Sequence, residues 1–215
     1  MIHFIFFCTL LLTIVAHELG HLTAGLLCKV KVEAFSIGFF KPYIHKMWKG
    51  IDWRLTPWLI GGYCKFGGET DKSENGLLAQ PYRKKLFIVL AGVTVNLIIA
   101  VICYLINYKS ISLGLSIDWL TIKAMFTSDY DSIVNIFVMH KPNLFLWQLS
   151  VMNIFCCVTN AFPLWPGLDG SYIFLPLMEP IWKENYVKYL NRITKIGFWS
   201  LMIAQAILIL WIFVK

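Results

Sequence analysis

His17, Glu18 and His21 belong to a His-Glu-Leu-Gly-His stretch inside a long apolar run. On a helix, residues four apart lie about 40° from each other on one face. That spacing lets two imidazoles reach one tetrahedral zinc ion. Glu18 stands beside them, within reach of a water activated by the metal, where it can act as general base. Gly20 leaves room for close packing beside the site. The bland reading is two histidines and a glutamate that pair with neighbours. The setting argues for chemistry instead, because ionisable side chains within a membrane-length apolar segment are costly and mark functional sites.

Three protein ligands would leave the fourth zinc position open. Asp169 is the one other acid well inside an apolar segment, in the stretch Asn160-Ala161-Phe162-Pro163-Leu164-Trp165-Pro166-Gly167-Leu168-Asp169-Gly170. The prolines and glycines interrupt a helix there, so backbone and carboxylate can both face a polar cavity. The alternatives are that Asp169 caps a helix, and that Glu33, in a strand-like polar region, is a weaker ligand candidate. His3, His45 and His140 lie at a terminus or in loops and read as interfacial residues.

The elements that must carry these residues follow from composition. The chain has 215 residues, 58% hydrophobic and only 14% charged, against about 25% charged in an ordinary soluble domain. A bilayer is the solvent this composition suits, and it favours helices that satisfy their own backbone. Apolar segments run over about 2–28, 86–106, 143–178 (interrupted) and 196–214. Between the first two lies a β region, about 30–66, with strands read at 30–37, 51–55 and 62–66, then a polar turn region over 67–76. The 36 or so residues of 107–142 have room for one short amphipathic helix but not for a domain with its own core. The expected fold is an α-helical membrane protein. About four transmembrane helices and a small membrane-associated β-sheet or hairpin between helices 1 and 2 form one domain over 1–215.

Eleven of the 19 Lys and Arg residues lie in 29–85, four in 179–195 and three in 107–142. The positive-inside rule places the two richer regions in the cytoplasm and both termini outside. The net charge of +7 thus reads as topology and contact with the lipid bilayer rather than with nucleic acid. The six cysteines form no CxxC pair and read as small buried residues.

Four motifs in order resemble the site-2 protease family of intramembrane zinc metalloproteases. They are HELGH at 17–21, Gly61-Gly62-Tyr63-Cys64-Lys65-Phe66, Ala91-Gly92-Val93-Thr94-Val95-Asn96, and the stretch from Asn160 through Pro163 to Leu168-Asp169-Gly170. The resemblance implies one Zn2+ per chain held by His17, His21 and Asp169, with Glu18 as catalytic base. It implies that Asn160 holds the substrate backbone, that Asn96 has a structural or substrate-contacting role, and that Gly61, Gly62 and Tyr63 belong to a hairpin that pairs with unwound substrate. Two departures stand out. Gly92 is followed by Val93 where the family has proline, which puts a local kink in doubt. The 107–142 loop cannot hold a PDZ domain and no CBS-type segment precedes Lys215, which implies a compact form of the family.

The function expected is zinc-dependent cleavage in or near a transmembrane segment of a single-pass membrane protein or remnant signal peptide. The setting expected is a bacterial cell membrane, with the active site toward the cytoplasmic side. The alternative is a non-catalytic metal-binding membrane protein, a transporter or pseudoprotease.

Overall fold

The computed structural model describes residues 2–59, 61–69, 75–127, 129–163 and 165–214, with side chains throughout except at 2, 205–206 and 208–214. Parts of two sequence readings therefore fall outside the described residues: the centre of the 67–76 turn region, and Leu164 in the aspartate stretch.

The first apolar run forms α1 (Ile2–Leu27). A four-stranded sheet follows, with β1 (Val32–Ile37), β2 (Ile44–Trp48), β3 (Ile51–Leu55) and β4 (Gly62–Phe66) in the order β2-β3-β1-β4. Strand β1 pairs parallel with β3 and antiparallel with β4, and β2 and β3 form an antiparallel hairpin. Next come α2 (Tyr82–Tyr108), α3 (Ile111–Thr127), α4 (Tyr130–His140) and α5 (Leu144–Ala161). A chain of short turns then carries α6 (Ser171–Phe174) and α7 (Glu179–Trp182) into α8 (Tyr186–Val214).

Among the described residues three helices are long and apolar enough to cross a membrane: His3–Leu27, Tyr82–Tyr108 and Leu144–Ala161. The segment read as a fourth span, 196–214, is the distal part of α8. Helix α2 begins at Tyr82, earlier than the apolar run suggested, because Arg83, Lys84 and Lys85 continue the helix beyond its apolar stretch. The long stems of Arg83 and Lys84, both exposed, can lie along apolar surface while the charges reach water, whereas Lys85 is buried. Pro163 and Pro166 do stop α5, whose last helical residue is Ala161.

Three features differ from the sequence reading. Strand β1, whose alternation of apolar and polar residues over 30–37 reads as a half-buried strand, is buried on both faces: Ala34, Phe35 and Ser36 are all enclosed. It is an interior strand, packed with Leu22 of α1 and Ile88 of α2, and the Ser36 hydroxyl is satisfied by donating to the Gly38 carbonyl at 2.9 Å. Strand β2 was not legible because all five of its residues are exposed, so no alternation marks it. The 107–142 segment forms two helices, not one short one. The buried positions of α3 include Gly114, Asp118, Thr121 and Ala124, so small and polar residues pack where an apolar stripe would announce a helix. Its anchor is Asp118, which accepts from Tyr104 Oη at 2.9 Å and from Ser150 Oγ at 3.1 Å.

Helix α2 packs against both α1 and α5, which also touch each other. His21 touches the Ile88 carbonyl, whereas Gly20 and His17, earlier in α1, lie against Ala91 and Gly92, later in α2. The two helices are therefore antiparallel. The main core cluster joins Leu22, Val32, Phe35, Phe66 and Ile88, fastening the sheet to both helices.

Candidate metal centre

Helix α1 presents His17, Glu18 and His21 on buried surface, each less than a tenth exposed. His21 Nδ1 lies 2.8 Å from the Ile88 carbonyl oxygen. A carbonyl only accepts, so this nitrogen carries the proton and Nε2 presents a lone pair. His21 Nε2 lies 3.1 Å from His17 Nε2 and 3.1 Å from Asp169 Oδ2. His17 Nε2 and the same carboxylate oxygen are 3.0 Å apart. Three ligand atoms from His17, His21 and Asp169 thus form a nearly equilateral triangle.

The donor chemistry fits a cation shared by the three atoms. Lone pairs converging at this distance repel unless a proton or metal lies between them. Tetrahedral zinc with bonds of about 2.0–2.1 Å needs ligand atoms roughly 3.3 Å apart, close to the spacing present. Two imidazoles and one carboxylate also match the nitrogen and oxygen preference of zinc, and they leave one position for water or substrate.

Asp169 arrives by a separate route. The last turn of α5 holds the loop that carries it: Gly170 N donates to the Asn160 carbonyl at 2.7 Å. A side chain at Gly170 would meet the Ala161 carbonyl oxygen at 2.4 Å, so the turn can fold back on α5 only with glycine there. Ser171 Oγ donates to the Leu168 carbonyl at 2.7 Å, and Tyr172 N to that of Asp169 at 2.9 Å, closing the turn. Glu33, the weaker ligand candidate, instead pairs with Lys65 at 2.7 Å across the sheet. His45 pairs with Asp52 at 2.9 Å, and His140 ends α4.

The remaining candidates divide. Gly62 opens β4 directly beside Glu18: a side chain there would fall 2.9 Å from Glu18 Cγ. Gly61 adjoins it and accepts at its carbonyl from Gly38 N at 2.7 Å. Tyr63 Oη accepts from Arg54 at 2.9 Å. Asn160 Nδ2 donates back to the Cys156 carbonyl at 3.1 Å and approaches Cys156 Sγ at 3.2 Å. Asn96 is fully buried, and neither atom of its amide has a partner among the described residues.

Several contributors had no mark in the sequence. Cys156 Sγ stands 3.9 Å from His17 Nδ1, and the Ile88 carbonyl orients His21; nothing in residue type alone points to either. Gly92 was legible only as part of a motif. Its Cα backs onto both imidazoles, and a Cβ there would sit 2.4 Å from His21 Nε2 and 2.8 Å from His17 Cε1. Helix α2 runs unbroken through Val93, so the site is built without a proline at that position.

Residues 5–204 match the profile of Peptidase family M50. The chain belongs to this family. Similar proteins include Cj1068 of Campylobacter jejuni, 40% identical over 99 residues, which cover 42% of this chain and 26% of that protein. NMA0084 of Neisseria meningitidis is 35% identical over 116 residues, 51% of this chain and 25% of the relative. Both carry "zinc metalloprotease" in their names. Metalloprotease MmpA of Caulobacter vibrioides is 30% identical over 118 residues, 42% of this chain and 29% of MmpA. The aligned part is thus about a quarter of the length of these relatives. Membership in M50 and the three apolar helices together place the chain in a membrane.

Proposed function

We propose that this chain is a zinc-dependent intramembrane endopeptidase. It hydrolyses a peptide bond in or near a transmembrane segment of a single-pass membrane protein or remnant signal peptide. The observation that carries this reading is the triangle of His17, His21 and Asp169 atoms inside an apolar helix bundle, with Glu18 between the triangle and strand β4.

His17, His21 and Asp169 hold the metal, one ion per chain. Bound zinc supplies Lewis acidity, making water nucleophilic at neutral pH and polarising the scissile carbonyl. Glu18 takes a proton from the attacking water on its carboxylate and returns it to the leaving amide nitrogen. Among the described residues strand β4 is an edge strand, paired only with β1. Its outer edge offers backbone groups to an unwound substrate, which would have to displace Glu69 Oε1 from the Phe66 N–H it now accepts at 2.6 Å. Gly61, Gly62 and Tyr63 set that strand beside Glu18, and Asn160, next to the Asp169 turn, offers its amide to the substrate backbone. Asn96, one helical turn beyond Gly92, is fully enclosed, which favours the structural of the two roles expected for it.

His21 stands six residues, about 9 Å, from the Leu27 end of α1. Lysines and arginines cluster just past that end, so the site lies toward the cytoplasmic face. Both termini are then outside, with the distal part of α8 as the fourth span. The host membrane is that of a bacterium, as for the relatives named above.

The test compares wild type, Glu18→Gln and Asp169→Ala in proteoliposomes with a single-pass substrate. Glu18→Gln loses roughly 10²–10⁴ in cleavage rate and keeps its zinc. Asp169→Ala loses zinc. Full cleavage by Glu18→Gln refutes the role of the base. A zinc-loaded wild type that cuts no candidate substrate supports the non-catalytic alternative.

A further inference from the structure

Away from the metal, α1 and α2 form the two walls of a second feature, a groove of about 740 Å³. Gly20 and Ala91 make its floor, and Thr23 and Thr94 stand on opposite walls. Both threonines are exposed, yet neither offers its hydroxyl to the groove. Thr23 Oγ1 donates to the Leu19 carbonyl at 2.7 Å and Thr94 Oγ1 to the Leu90 carbonyl at 2.8 Å. The helices thus absorb the polar atoms of the walls themselves, and the surface left is hydrocarbon.

The groove has one charged end. Arg83 lines it there, exposed at the first turn of α2, beside Lys84. From Arg83 to Val95, which lines the other end, α2 advances twelve residues, about 18 Å. One leaflet of a bilayer contributes about 15 Å of hydrocarbon. The groove is therefore as long as one acyl chain, with a guanidinium at the depth of the headgroups.

We propose that this groove is a binding site for one anionic phospholipid. An acyl chain lies along the Gly20–Ala91 floor, and the phosphate pairs with Arg83. Arg rather than a neutral residue at the mouth selects anionic over zwitterionic headgroups, because each cation near the surface contributes separately to their attraction. The floor is the reverse side of the contact that supports the metal, since Gly92 follows Ala91 directly and touches both imidazoles. Lipid in the groove therefore braces the α1–α2 pair. The proposal rests on the membrane placement of these helices and not on proteolysis.

The experiment uses the full chain, delipidated in detergent and titrated with phosphatidylglycerol or phosphatidylcholine. Bound lipid is counted by native mass spectrometry, and thermal unfolding is followed in parallel. Wild type retains one phosphatidylglycerol in preference to phosphatidylcholine and melts at higher temperature with it. Arg83→Ala weakens phosphatidylglycerol retention about fivefold and leaves phosphatidylcholine unchanged. Thr94→Trp fills the groove and abolishes retention of both, as does Thr23→Trp from the opposite wall. The two threonines are exposed, so each variant is scored only if its lipid-free melting point matches wild type, and agreement of either one decides. Equal lipid retention by wild type and a folded tryptophan variant overturns the proposal. So does a tryptophan variant that raises KM for a membrane substrate with lipid retention intact, which would make the groove a substrate-helix site.

Discussion

Gly92→Ala tests the metal geometry most sharply. The new methyl carbon would stand 2.4 Å from His21 Nε2 and 2.8 Å from both His17 Cε1 and His21 Cε1. Ordinary carbon contact begins near 3.4 Å, so the His21 imidazole must retreat by about 1 Å, whereas a metal site tolerates about 0.2 Å in its distances. Helix α2 cannot move away freely, because His21 is hydrogen-bonded to its Ile88 carbonyl and the core cluster joins Ile88 to the sheet. Overpacking of this kind costs about 1–3 kcal/mol. Loss of support for a ligand typically weakens metal binding by about 10–100-fold. The intrinsic effect of the substitution runs the other way, since alanine is favoured over glycine in a helix by about 1 kcal/mol. Zinc affinity, measured by competition with a chromogenic chelator, should therefore fall by one to two orders of magnitude while the helix content holds. Val93→Ala, one residue along, should leave affinity unchanged. Wild-type affinity in Gly92→Ala would refute the packing of α2 against the ligands.

Gly62→Ala should separate catalysis from metal binding. Its methyl would meet the Ser36 carbonyl oxygen at 2.8 Å and Glu18 Cγ at 2.9 Å, displacing the base and strand β4 together. We expect kcat to fall about 100-fold with zinc content at the wild-type level; unchanged kcat would remove Gly62 from the positioning of Glu18. Asp118, on α3 outside the three long apolar helices, is pushed up to about 7 by burial, against the opposing hydrogen bonds from Tyr104 and Ser150. The folded state then holds this proton more tightly than the unfolded one, so stability is fullest below the ordinary value of 3.8 and declines as pH rises to about 7. Thermal unfolding across that window should show the decline, and Asp118→Asn should flatten it; an unaltered slope would refute the assignment.

The candidate metal cluster was readable because its chemistry is local or rare. The i, i+4 histidines declare themselves on any helix, and Asp169 stood out as an acid in an apolar stretch. The helix break that delivers it was written in Pro163 and Pro166. What positions those residues was less legible. Cys156 and the Ile88 carbonyl meet the histidines through packing between helices far apart in sequence, and a carbonyl has no residue type. The parallel pairing of β1 with β3 depends on which strands meet after the chain crosses the sheet. Helix α3 was missed because its buried side is held by Asp118 and small residues, where periodicity arguments look for leucine and valine.

Only four residues separate the end of α1 at Leu27 from the start of β1 at Val32, and β1 lies hydrogen-bonded to β4. Two ligands, the base and the strand edge therefore travel as one rigid body when the bilayer thins, thickens or tilts the helix. Asp169 belongs to the other body, riding on α5. The proposed ion would be a further tie between them at this end, beside the Asn153 Nδ2 donation to Thr13 Oγ1 at 3.0 Å that already links α5 to α1. Removing the ion should loosen the α5 turn from the α1 assembly before either body unfolds, so a chelator acts on this protein first as a hinge-opener and only later as a denaturant.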